Sequence, residues 1–153
     1  MSLFDLIKRL PGWPGGARRA RRARDLEGMT RREFEVQVGK ALRAQGYQVT
    51  PAEGGASAGV DLVLRRDRQT HLVRCERAQR VGVDVVQQLH RVMAARGAPG
   101  GIVVTSGRFS REATAFAIGC NIRLIEGPAL AAMIQPEGAS RTGATAPNAT
   151  ARR

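Results

Sequence analysis

The run Gly101-Ile102-Val103-Val104-Thr105 is apolar at almost every position and stands between two segments of helical periodicity. A strand wet on one face alternates polar and apolar residues; one without alternation is covered on both faces. Covering both faces takes a helical layer on each side, which commits the chain to an α/β architecture. With 153 residues the expectation is one domain, large enough to bury a core without disulfides or metals.

The neighbouring segments agree with that frame. Thr30-Arg31-Arg32-Glu33 has the form of a capping box, with Phe34, Val38, Ala41 and Leu42 following at helical spacing and Gly46 as the stop. This predicts a helix over 30–45. Residues 47–50 read as a short strand and the glycine-rich 51–59 as a loop. A hairpin is expected over 60–76, its strands 60–64 and 71–76 joined by the polar turn 66–69. A second helix is expected from Gly82 to Gly97, with Asp84 as a possible N-cap. Ser110 should cap a third helix, ended by Gly119. A strand over 122–125 and a closing helix over 128–134 complete a mixed sheet flanked by helices.

Outside this region the composition changes. Residues 1–10 place Leu3, Phe4, Leu6, Ile7 and Leu10 near one helical face, about three turns, too short to be stable alone. They suit docking on the domain, on a partner or on a membrane surface. Pro11 and the following Pro/Gly run break the pattern, and Ala17–Arg24 is an arginine-rich basic arm. From Pro136 onward there is no periodicity, and disorder is expected. The organisation is therefore 1–28 as amphipathic segment and basic arm, 29–134 as folded domain and 135–153 as tail.

Charge narrows the function classes. Lys plus Arg is 25 and Asp plus Glu is 13, a net of +12. Residues 1–32 hold nine basic and three acidic groups, so half of the excess lies ahead of the main folded region. Surplus arginine favours polyanions, because each neutralised phosphate releases counterions. No run approaches eighteen apolar residues, which excludes a membrane-spanning helix on sequence. A secretory signal is not expected, since Lys8, Arg9 and Pro11 follow the first apolar residues. The only cysteines, Cys75 and Cys120, lie in apolar stretches and read as free thiols of a cytoplasmic protein.

One constellation carries possible chemistry. Side chains alternate along 71–76, so Leu72, Arg74 and Glu76 share a face and Val73 and Cys75 take the other. Asp61 sits in the partner strand just after the glycine loop. Asp61, Arg74 and Glu76 can thus meet at one end of the hairpin. Two carboxylates there can hold a hard divalent cation such as Mg²⁺, which activates water and steadies an attacked phosphodiester. The competing reading is an Arg74–Glu76 ion pair at a sheet end. His71 has the wrong parity for that face, and His90 lies beside Leu89 in the second helix. Arg74 could lower the Cys75 pKa, yet Cys75 has core parity. Gly107–Ser110 is either an anion-binding turn before a helix or a plain capped turn. Trp13 and Tyr47 are too few for a base-stacking platform.

The stretches from Met29 to Ala131, notably Phe34-Glu35, Gly59-Val60-Asp61-Leu62 and Gly100–Phe109, resemble the Mrr-type restriction endonuclease catalytic domain of the PD-(D/E)xK nuclease superfamily. The resemblance implies a restriction endonuclease-like three-layer fold with a mixed central β-sheet, a DNA partner, Mg²⁺ as cofactor and phosphodiester cleavage. It places Glu35 at the metal as the glutamate of the first helix and makes Asp61 the metal-binding aspartate. It sets Arg74-Cys75-Glu76 where the family has Gln/Glu-x-Lys. Here the chain departs: position 74 is Arg and position 76 is Glu. The glycine loop reads Ser57-Ala58-Gly59 where the family often has an acid and two glycines.

The family lysine aligns water and offsets developing charge, and one such group can be worth about 3–4 kcal/mol. Two rescues are open: Arg74 as the cation with Glu76 as the metal ligand, or Arg77 reaching in from the strand end. Arginine is a poor proton acceptor. Three readings follow: a Mg²⁺-dependent endonuclease using Glu35, Asp61, Arg74 and Glu76, a nucleic-acid-binding domain whose site is an internal ion pair, and a scaffold docked through residues 1–10. Dimerisation of the chain fits the first.

Overall fold

The computed structural model describes residues 24–134. The amphipathic segment, the basic arm up to residue 23 and the tail from 135 lie outside the described residues, so the docking expected of residues 1–10 falls there too. Helix α1 (Arg31–Ala44) begins with the capping box at Thr30, both reciprocal hydrogen bonds formed. Strand β1 (Gln48–Pro51), a 3₁₀ turn (Gly55–Ala58), β2 (Leu62–Arg66) and β3 (Gln69–Glu76) follow. Then come β4 (Arg80–Val81), α2 (Val83–Arg96), β5 (Gly100–Thr105) and β6 (Arg108–Phe109). The last elements are α3 (Arg111–Ile118), β7 (Ile122–Ile125) and α4 (Gly127–Met133).

The main sheet has the order β1-β2-β3-β5-β7. β1, β2 and β3 are antiparallel, while β3, β5 and β7 are parallel. Every residue of β5 is buried, as its unbroken apolar run required. Strand parity divides the core into two layers. Leu62, Leu64, Val73, Cys75, Ile102, Val104 and Ile125 pack with Phe34, Val38, Leu42 and Leu130 of α1 and α4. Leu72, Val103 and Ile122 pack with Val86, Leu89, Met93, Ala113 and Ala117 of α2 and α3. The result is the expected three-layer fold.

Several local expectations are corrected. β2 begins at Leu62, so Asp61 lies immediately ahead of the strand rather than inside it. Gly59, at φ +75°, turns the chain into β2, and the Asp61 N–H already bonds Val73 O. Asp84 does not cap α2: Gly82 is the N-cap, and Asp84 falls in the first turn. The hairpin turn is tighter than expected, with Asp67 and Arg68 alone between the strands at φ +49° and +65°, the two-residue geometry that right-handed strand twist favours. The pair β4 and β6 forms a second, parallel two-stranded sheet that no periodicity announced. Core packing also reaches back to Leu26, which is buried against the α1 layer.

Two measurements check this packing. Leu64 is wholly buried and Ile118 is 82% exposed. Leu64→Ala should cost about 2–5 kcal/mol of unfolding free energy, and Ile118→Ala under about 0.5 kcal/mol, in urea titrations. The Nδ1 of His71 is buried without a partner, and burial lowers its pKa from the usual 6.5. The folded state therefore binds this proton less well than the unfolded chain. The stability this gives is present above about pH 6.5 and is lost as pH falls towards the depressed value. Melting curves should show that slope, and His71→Gln should flatten it.

Candidate functional site at the carboxyl end of β3

Asp61 organises this end of the sheet. It is carried into place by the Gly59 turn, and its side chain is only 1% exposed. One carboxylate oxygen, Oδ2, accepts the Cys75 backbone N–H at 2.7 Å. The other, Oδ1, accepts from Arg31 Nη2 at 2.9 Å. Arg74 Nε stands 3.9 Å from Oδ2. A buried carboxylate needs such partners, because an unpaired one is costly to desolvate.

The two arginines extend outward from Asp61. Arg31 also holds Glu35 Oε1 at 3.0 Å, one helical turn further along α1. Its side chain remains 43% exposed. Burial opposes the Arg31 charge, but the hydrogen bonds and charges of Asp61 and Glu35 outweigh it and raise its pKa. Arg74 donates through Nε to Glu76 Oε1 at 2.8 Å and through Nη1 to Ala56 O at 2.9 Å. The glycine loop is thus tied to β3 by the Arg74 side chain.

The structure brings Glu35, Asp61, Arg74 and Glu76 together in one chain of contacts, Glu35–Arg31–Asp61–Arg74–Glu76. The ion pair weighed for Arg74 and Glu76 is formed. Arg77 does not reach into the pocket; its Nη2 contacts Glu27 O instead. Arg31 was missed in the sequence, although its i,i+4 spacing to Glu35 was a legible signal.

Several other side chains have structural contacts. Burial, then the charges of Asp61 and Glu35, push the Cys75 thiol well above its ordinary pKa, which disfavours the thiolate. His90 packs edge-on against Phe116 with centroids 5.8 Å apart. Arg66 lies over the Tyr47 ring. Ser110 caps α3 by accepting the Ala113 N–H.

The family's divalent ion does not fit the pocket in this arrangement. A hard cation needs free carboxylate oxygens. Both Asp61 oxygens are engaged, and Arg31 and Arg74 stand between Asp61 and the other two acids. Among the described residues, no group of three or more His, Cys, Asp or Glu side chains is placed to hold a metal ion. No helix among them is long and apolar enough to cross a membrane.

Comparison with known proteins follows the same lines. A family model described as restriction endonuclease, the Mrr catalytic domain, matches residues 26–134. No curated protein matches the chain. Among solved structures, the fold is similar to the DNA modification-dependent restriction endonuclease AspBHI, with a TM-score of 0.64 and 14% identity over 78% of this chain and 35% of that one. It is similar to the MspJI restriction endonuclease, solved in complex with a 27-mer oligonucleotide, with a TM-score of 0.59 and 22% identity over 82% of this chain and 34% of the other. A protein of unknown function, AF1548, is similar at a TM-score of 0.52 and 17% identity over 60% of this chain and 55% of that one. The chain spans about a third of the length of the two endonucleases and about half of AF1548. With the family match covering residues 26–134, most of the chain, this protein belongs to the Mrr-type restriction endonuclease family.

Proposed function

We propose that this chain acts on DNA, with the phosphodiester backbone docked at the Asp61 pocket. The observation that carries the proposal is the placement of Arg31 and Arg74 at the carboxyl end of β3, one partly exposed and one close behind it. Guanidinium forks match phosphate oxygens, and the +12 charge of the chain adds long-range attraction. Family membership supports phosphodiester cleavage as the reaction, with Glu35, Asp61, Arg74 and Glu76 as its residues; a Mg²⁺ ion enters this reading only if Arg31 and Arg74 release the carboxylates they now hold. One pocket addresses one strand, so cutting a duplex on both strands assigns two copies of the chain, a homodimer. A cytoplasmic location goes with that substrate.

A second reading is favoured by one observation, the Arg74–Glu76 pair at 2.8 Å beside a fully engaged Asp61. On this reading the domain binds DNA without cutting it. Arg74 and Glu76 neutralise each other, and Glu76 replaces the cation that the family places there.

Plasmid nicking separates the two. Cleavage of supercoiled DNA in Mg²⁺ or Mn²⁺ that disappears in Asp61→Asn establishes the endonuclease. Intact plasmid, together with binding that weakens steeply as salt rises, establishes the binding domain. Binding absent at low salt would sink both.

Asp61 is structural as well as chemical, so the choice of variant matters. Asp61→Ala leaves the Cys75 N–H and Arg31 without their acceptor and should cost about 1–3 kcal/mol in urea unfolding. Asp61→Asn keeps an acceptor oxygen and should cost less. A loss of nicking in an Asp61→Asn variant that melts like the parent therefore reports chemistry rather than unfolding.

A further inference from the structure

The small sheet of β4 and β6 is the feature that the Asp61 site leaves unexplained. Its register pairs Arg80 with Arg108 and Val81 with Phe109. Alternation turns Val81 and Phe109 inward, where Val81 is buried and Phe109 packs on the α2–α3 core layer. Arg80 and Arg108 are consequently left exposed, side by side on strands about 4.8 Å apart. Among the described residues neither forms an ion pair, and like charges directly opposite each other in a sheet are destabilising.

The platform beneath them is closely built. Arg108 N bonds Gln79 O at 3.0 Å and Ser110 N bonds Val81 O at 2.9 Å. Thr105 Oγ1 donates to Ala78 O and accepts from Gly107 N. Gly107 has no room for a side chain, because a Cβ there would collide with the Ala78 and Gln79 carbonyls. Two carboxylates on adjoining segments are occupied differently. Glu126 accepts the Phe109 N–H. The exposed Glu112 is lowered first by its own backbone and then by Ser110, with Arg80 the weakest influence. The fold thus devotes the segment between Glu76 and α2, and a glycine-constrained turn after Thr105, to holding two exposed arginines in fixed backbone register, with Glu112 acting only weakly on Arg80.

Their place in the fold names the ligand. β4 follows β3 by three residues beyond Glu76, and β6 follows β5 by two beyond Thr105. The arginine pair therefore lies at the same end of the sheet as Asp61, Arg74 and Glu76. We infer that Arg80 and Arg108 form a clamp for a backbone phosphate of duplex DNA, next to the phosphate docked at the Asp61 pocket. This rests on the DNA reading above. A phosphate between the two guanidiniums removes their repulsion, so the clamp is strained when free and relieved when bound.

The test is the salt dependence of binding by the full chain to a fluorescent duplex of about 20 base pairs, read by anisotropy. Each phosphate contact contributes a slope of about −0.9 to log K against log salt. Arg80→Gln and Arg108→Gln should each reduce the slope by about 1, and the double variant by about 2. Arg96→Gln, at the far end of α2, removes the same charge away from the clamp and should leave the slope unchanged. Melting temperatures of the Arg80 and Arg108 variants should equal or exceed that of the parent, because repulsion is removed. Binding by the parent with an unchanged slope in either variant overturns the clamp while leaving the DNA reading intact. An equal fall in Arg96→Gln, or a lowered melting temperature in either clamp variant, also overturns it. A parent chain that does not bind the duplex overturns both.

Discussion

A carboxylate that is 1% exposed determines how this end of the molecule is built. Asp61 can be buried in ionised form only if its oxygens are met by donors. One donor is the Cys75 backbone N–H, which ties the start of β2 to the end of β3. The other is Arg31, which ties both strands to the first turn of α1. Three elements distant in sequence are thereby fastened at one point, and the pocket is a consequence of that fastening. Arg74 completes it by joining β3 to the 3₁₀ turn through Ala56 O.

The same arrangement bears on the resemblance drawn from the sequence, which sets an acid or amide and a lysine two residues apart on one face of β3. Here the charges at those positions stand in the reverse order, and they satisfy each other at 2.8 Å. Arg74 sits close to Asp61, so the positive charge is retained near the buried aspartate although it comes from a different position. The pocket keeps its electrostatic balance while giving up open coordination sites. Its two guanidiniums are permanently charged, planar donor forks, and here they are engaged by Glu35, Asp61 and Glu76.

Much of this was legible in the residues. The capping box at Thr30, the apolar run of β5 and the parity of β3 each rest on short-range rules, and each stands in the structure. Asp61, Arg74 and Glu76 were brought together by parity and by the position of the glycine loop. Other features escaped for physical reasons. β4 and β6 are two residues long, too short for any period to register. The offset of β2 from 60–64 to Leu62–Arg66 follows from the Asp67-Arg68 turn and from the left-handed Gly59, both of which act through backbone geometry. The contact of Arg31 with Asp61 spans thirty residues, beyond the reach of any local rule.

The sequence by itself determined the layers and the candidate residues, since hydrophobic burial and capping depend on spacings within one element. Only the tertiary structure decided which charges face which. Ion pairing depends on distances between elements, and a few ångströms separate a cation-binding trio of acids from acids already held by arginines. The register of β4 against β6 belongs to the same class. No local rule places Arg80 beside Arg108; the packing of Val81 and Phe109 beneath them does.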